Sequence, residues 1–73
     1  MTPYWDVESG VAAYDIGRSQ IDVQFKDGSV YRYTSLSAGR ANIDEMARLA
    51  RAGDGLNTFI NQVVRKRYSA RLR

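Results

Sequence analysis

Residues 21–33, IDVQFKDGSVYRY, spell a β-hairpin, and the way it pairs decides the fold. From Gln20 to Phe25 the apolar Ile21, Val23 and Phe25 alternate with Asp22 and Gln24, the period of a strand with one buried face. Lys26-Asp27-Gly28 supplies the turn, and Val30 to Thr34 follows as the partner strand. Two pairings compete. A two-residue Asp27-Gly28 loop would set Phe25 against Val30 and send Tyr31 and Tyr33 to the polar face. A longer loop, with Gly28 left-handed in a bulge, sets Phe25 against Ser29, Val23 against Tyr31 and Ile21 against Tyr33. Only the second gathers all five large residues on one face, so it is the expected register.

Working outward, Val11 to Ile16 (VAAYDI) reads as a preceding strand with imperfect alternation, ended by Gly17-Arg18-Ser19. Downstream the period changes. Asn42 and Glu45 resemble a capping box ahead of Ile43, Met46, Ala47, Leu49 and Ala50 at helical spacing. Asp44 and Arg48 form an i, i+4 pair. Gly53-Asp54-Gly55 breaks the helix, and Leu56, Phe59, Ile60, Val63, Val64 and Tyr68 then mark the apolar face of a second one. The expected architecture is α+β: a three-stranded antiparallel β-meander covered by two C-terminal helices, β-β-β-α-α. Residues 1–73 form a single domain, with residues 1–8 as an N-terminal arm and residues 69–73 as a basic tail.

At 73 residues the core is thin; a domain of this size buries only ~60% of its unfolded surface. There is no cysteine, which suits a reducing, intracellular setting. No secretory signal is read at the N-terminus, and no apolar run approaches the roughly 18 residues of a membrane span. A cytoplasmic location, in a bacterium or a phage-infected host, is expected. The net charge of +3 conceals a division. Residues 1–36 carry three basic and five acidic side chains, whereas residues 37–73 carry eight basic and three acidic. The end, RKRYSARLR, attracts polyanions or an acidic protein surface over ~8 Å at physiological salt, or is simply a solvated terminus.

The segments VESGVAAYD (residues 7–15), IDVQFKDGSVYRY and FINQVVRKRY (residues 59–68) resemble the KTSC domain. This small module is seen at the C-terminus of some lysyl-tRNA synthetases and as free-standing bacterial or phage proteins. Tyr31 and Tyr33 fall on its central Tyr-x-Tyr. Phe59, Ile60, Asn61, Val64, Arg65 and Tyr68 fall on its later motif. SLSAGR at residues 35–40 departs from the family pattern by lacking the proline usual before the first helix, and the connection from Tyr33 to Asn61 is longer than usual. The resemblance implies RNA binding, by analogy with the synthetase context. By size and composition alone, the chain also resembles a small phage-encoded regulator of host bacterial RNA polymerase.

Nothing in the chain reads as catalytic. It has neither histidine nor cysteine, its carboxylates are scattered, and its glycines form no phosphate-binding loop. No metal site and no cofactor are expected. Tyr31 and Tyr33 could stack bases, but the pairing argument favours a core role. Tyr4 and Trp5 are either interface anchors or a flap closing the core. Arg32 points outward, available to a phosphate or carboxylate or simply solvated. Arg65, Lys66 and Arg67 form a collar at a helix end, with Arg71 and Arg73 in the tail beyond.

The expected partner-binding set is therefore Arg65, Lys66, Arg67, Arg71, Arg73, Arg32, Tyr4 and Trp5. The expected role is a non-enzymatic binding module of the gene-expression machinery, monomeric when free. The first candidate is a phage-type transcription regulator that binds host RNA polymerase or an associated factor and blocks or modifies transcription. The alternative is direct RNA binding.

Overall fold

In the computed structural model, which describes residues 1–73, the hairpin closes through Lys26-Asp27-Gly28. The Gly28 amide donates to the Phe25 carbonyl and the Phe25 amide to the Ser29 carbonyl, each at 2.9 Å. Gly28 has φ +90°, a conformation open to glycine at no steric cost. The Asp27 carboxylate accepts the Ser29 amide at 2.9 Å and the Ser29 hydroxyl at 2.6 Å, which locks the turn. Ile21 lies opposite Tyr33 and Val23 opposite Tyr31, the register that a single buried face requires.

The sheet has five antiparallel strands: β1 (Thr2–Pro3), β2 (Val11–Gly17), β3 (Gln20–Phe25), β4 (Val30–Thr34) and β5 (Ala70–Arg71), side by side in chain order. This corrects the expected three-stranded meander under two C-terminal helices. A three-stranded sheet would leave the outer backbone groups of β2 and β4 unpaired, and an open edge is costly. The two chain ends fill those edges. Thr2 and Pro3 pair with Tyr14 and Ala13, and proline is tolerated there because an edge strand needs no donor on its outer side. At the other edge Ser69 N donates to Arg32 O and Leu72 N to Val30 O, each at 2.7 Å.

The imperfect alternation of VAAYDI also has a structural cause. A bulge between Val11 and Ala13 inserts one residue, so that Val11 and Tyr14 both face the helices across an odd interval.

The helices are short: α1 (Ser35–Ala38), α2 (Arg40–Ala52) and α3 (Leu56–Phe59). None is long and apolar enough to cross a membrane. The capping box belongs to α1, where Ser37 N donates to Thr34 Oγ1 at 3.1 Å and Thr34 N to Ser37 Oγ at 3.0 Å. Asn42 instead donates from its side chain to Ala38 O at 2.8 Å. Arg48 pairs with Glu45 rather than Asp44, at 2.6 Å.

The second amphipathic segment does not continue as one helix to Tyr68. After Phe59 the bonding widens over Ile60–Val64, and Arg65 N donates to Ile60 O at 2.6 Å. The chain then turns back to the sheet, where the Tyr68 ring meets Tyr31 at 4.7 Å and Tyr33 at 6.3 Å between centroids. Those contacts and the pairing of β5 outweigh a last turn of helix. Between helices and sheet lie Val11, Ile21, Val23, Tyr33, Met46, Leu56 and Val64, each at most 2% exposed. Complete burial of one such aliphatic side chain stabilises by about 1.5–3 kcal/mol.

Candidate binding groove

Because the helical segment stops at Val64, it leaves the β4 end of the sheet partly open. A groove of about 280 Å³ lies there, lined by Phe25, Tyr31, Tyr33, Ile60, Asn61, Arg65, Lys66 and Tyr68. The hairpin register supplies Phe25, Tyr31 and Tyr33 from one face of β3 and β4. Phe25 meets Tyr31 edge-on at 5.9 Å, continuing the chain of rings that ends at Tyr68. Tyr33 is buried at the base, and its burial pushes the phenol up to about 12, so it stays protonated around neutral pH. Tyr31 is half-buried and Tyr68 is 39% exposed, which leaves aromatic surface accessible at the mouth. From β5 the Arg71 guanidinium sits over the Tyr31 ring, 5.5 Å from its centroid.

Every charged residue in this wall is basic. Arg65 and Lys66 form no ion pair within the chain. The arrangement suits a ligand that combines a planar ring with negative charge. The groove is slightly smaller than the roughly 300–1,000 Å³ of typical small-ligand pockets, so it holds one ring-sized group while the rest of a ligand lies on the surface.

The residues expected to bind a partner divide into three groups. Arg65, Lys66 and Arg71 come together at the groove. Arg67 lies outside the groove, in a hollow it shares with Val63, Arg65 and Lys66, and Arg73 lies near Leu72 and Met1 on the helix-free face of the sheet. Arg32 and Tyr4 are committed elsewhere. The Arg32 guanidinium grips Asp22 directly across the strands at 2.8 and 3.0 Å, which neutralises it and raises its pKa through that hydrogen bond. Arg32 is therefore not a free cation on the outer face. Tyr4 is a core residue, 5% exposed, and its hydroxyl accepts the Leu56 amide at 3.1 Å. Burial pushes its phenol pKa up against the lowering effect of that bond. Trp5, its neighbour in sequence, is 82% exposed.

Phe25, Tyr31 and Tyr68 were not among the expected site residues. Alternation marks Phe25 and Tyr31, and helical spacing marks Tyr68, as belonging to buried faces, and a periodicity does not tell where along a face the helical cover ends. The signal that was available is the basic run from Arg65 to Arg67: it follows the last apolar turn closely enough to show where the cover gives out. No group of three or more His, Cys, Asp or Glu side chains converges to hold a metal ion. Compared with protein-family models, curated proteins and solved structures, the chain matches none, so its groove must be read from its own chemistry.

Proposed function

We propose that this chain is a non-enzymatic binding module of the gene-expression machinery, and that its groove takes a short stretch of single-stranded RNA. The observation that supports this most directly is the convergence of Arg65 and Lys66 with Phe25, Tyr31 and Tyr68 in a wall free of acidic side chains. Bases stack on aromatic rings with little regard to sequence, and cations beside the rings meet the phosphates. The resemblance of IDVQFKDGSVYRY and FINQVVRKRY to the KTSC domain, for which an RNA role has been suggested, points the same way.

The test is fluorescence anisotropy with a labelled single-stranded RNA of about a dozen nucleotides. Tyr68→Ala is expected to weaken binding about tenfold, within the ~1–3 kcal/mol that one stacked base contributes. Lys66→Glu should weaken it too and flatten the dependence on salt. If both variants bind as the parent does, or if the parent fails to bind at low salt, the RNA reading is wrong.

One observation favours a second reading. Val63 is 40% exposed beside Arg67, outside the groove. An apolar side chain among cations suits an acidic protein surface better than a phosphate backbone. That surface would be host RNA polymerase or an associated factor, with transcription blocked or modified by occupation. Val63→Ala separates the two readings, because it removes apolar surface without placing a charge beside Arg65 and Lys66: it should weaken binding to purified polymerase and leave RNA binding intact.

A further inference from the structure

Trp5 is the one tryptophan of the chain, and it lies away from the groove. Its backbone is held from both sides. Tyr4 before it is fixed in the core through the hydrogen bond to Leu56, and Tyr4 N donates to Ala12 O at 2.9 Å. Behind it stands Gly53, so close that an added Cβ would sit 2.5 Å from the Trp5 Cβ. Trp5 as a whole is nonetheless 82% exposed. A large amphipathic ring displayed on a fixed backbone loses little entropy when a partner covers it, which is the property of an interface anchor.

The surroundings give the charge of that partner. Asp6, Glu8 and Asp54 line a shallow polar hollow beside it. One cation is held close by: the Lys26 ammonium donates to the Val7 carbonyl at 2.9 Å. Val7, two residues on, is also largely exposed, so apolar surface and acidic side chains are displayed along the same short segment.

We infer that Trp5 anchors a docking surface for a basic protein partner, one whose apolar patch is bordered by lysine or arginine. The partner covers the indole and Val7 while its cations meet Glu8 and Asp54. This surface is independent of the groove and would stand if the groove bound nothing.

The single tryptophan makes the test direct. The probe is a synthetic peptide of alternating lysine and leucine, titrated into the full chain while tryptophan emission is followed. A saturable blue shift is expected, although the chain carries a net charge of +3 and would repel a cation elsewhere. Peptides with glutamate in place of lysine, or serine in place of leucine, should leave the emission unchanged. Asp54→Lys and Glu8→Lys should each weaken the titration several-fold. With a labelled peptide, Trp5→Ala should lower affinity about tenfold or more, and the circular dichroism should be unchanged because the ring is exposed. Three results would overturn the inference: equal binding of the glutamate peptide, undiminished binding by Trp5→Ala, or a blue shift that grows with protein concentration alone and sediments as a dimer. The last would mean that a second copy covers the ring.

Discussion

Gly53 meets two demands at once. It ends α2 in the left-handed region, at φ +75°, and its amide donates to Leu49 O and Ala50 O. It also leaves room for Trp5, whose Cβ lies only 2.5 Å from where a Cβ of residue 53 would be. Gly53→Ala should therefore cost about 2–4 kcal/mol, adding a left-handed penalty to an overpacked contact, and urea unfolding reads it directly. The hairpin turn offers a second check. Hydrogen bonds from Ser29 hold the Asp27 carboxyl below its ordinary 3.8, and two from Arg48 hold Glu45 below 4.5. A carboxyl lowered on folding adds stability above its unfolded value and loses it as pH falls through the folded one. Ser29→Ala relaxes Asp27, so the drop in urea midpoint between pH 7 and pH 3 should be smaller than in the parent. An unchanged drop would mean that the Asp27–Ser29 pair does not contribute to acid sensitivity. At this scale the sequence was informative about types, and about partners wherever the register was carried through. Arg32 reads as a free outward cation only until the pairing of Val23 with Tyr31 and Ile21 with Tyr33 is followed to the residues between them, which sets Asp22 directly opposite it.

The elements that could be read in advance are those long enough to show a period. β3 and β4 alternate over several residues, and the buried face then fixes their register without further information. β1 and β5 have two residues each, too few for any period, and they exist because two sheet edges needed partners. The same lack of local signal hid the end of the last helical segment, since Tyr68 continues its apolar spacing but belongs to the sheet. β5 can be tested by removal. Deleting residues 70–73 takes away the Leu72 and Arg73 amides that donate to Val30 O and the Arg73 carbonyl that accepts from Val30 N. A loss of about 2–4 kcal/mol is expected at roughly 1 kcal/mol per backbone bond. Hydrogen exchange locates it: the Val30 amide should become fast while the Ile21 and Val23 amides stay protected. Uniform acceleration would show instead that the tail supports the whole fold.

Across the whole molecule, the charge division between the halves of the sequence becomes a division in space. The acidic side chains near Trp5 lie where α3 begins, and Arg65 and Lys66 lie where the wide turn ends. Eight residue steps separate Leu56 from Val64, about 12 Å at the rise of an α-helix. Because ~12 Å exceeds the screening length of ~8 Å at physiological salt, a charge change at one end is weakly felt at the other. A change at an exposed ring should stay local. Trp5→Ala is therefore expected to leave RNA affinity within about twofold of the parent at physiological salt, and Tyr68→Ala to leave the lysine–leucine peptide titration equally unaffected. The double variant should show the sum of the two single effects, measured by anisotropy for RNA and by labelled peptide for the other surface. A coupling well beyond the ~0.5 kcal/mol expected of independent sites would mean that the two ends act as one surface.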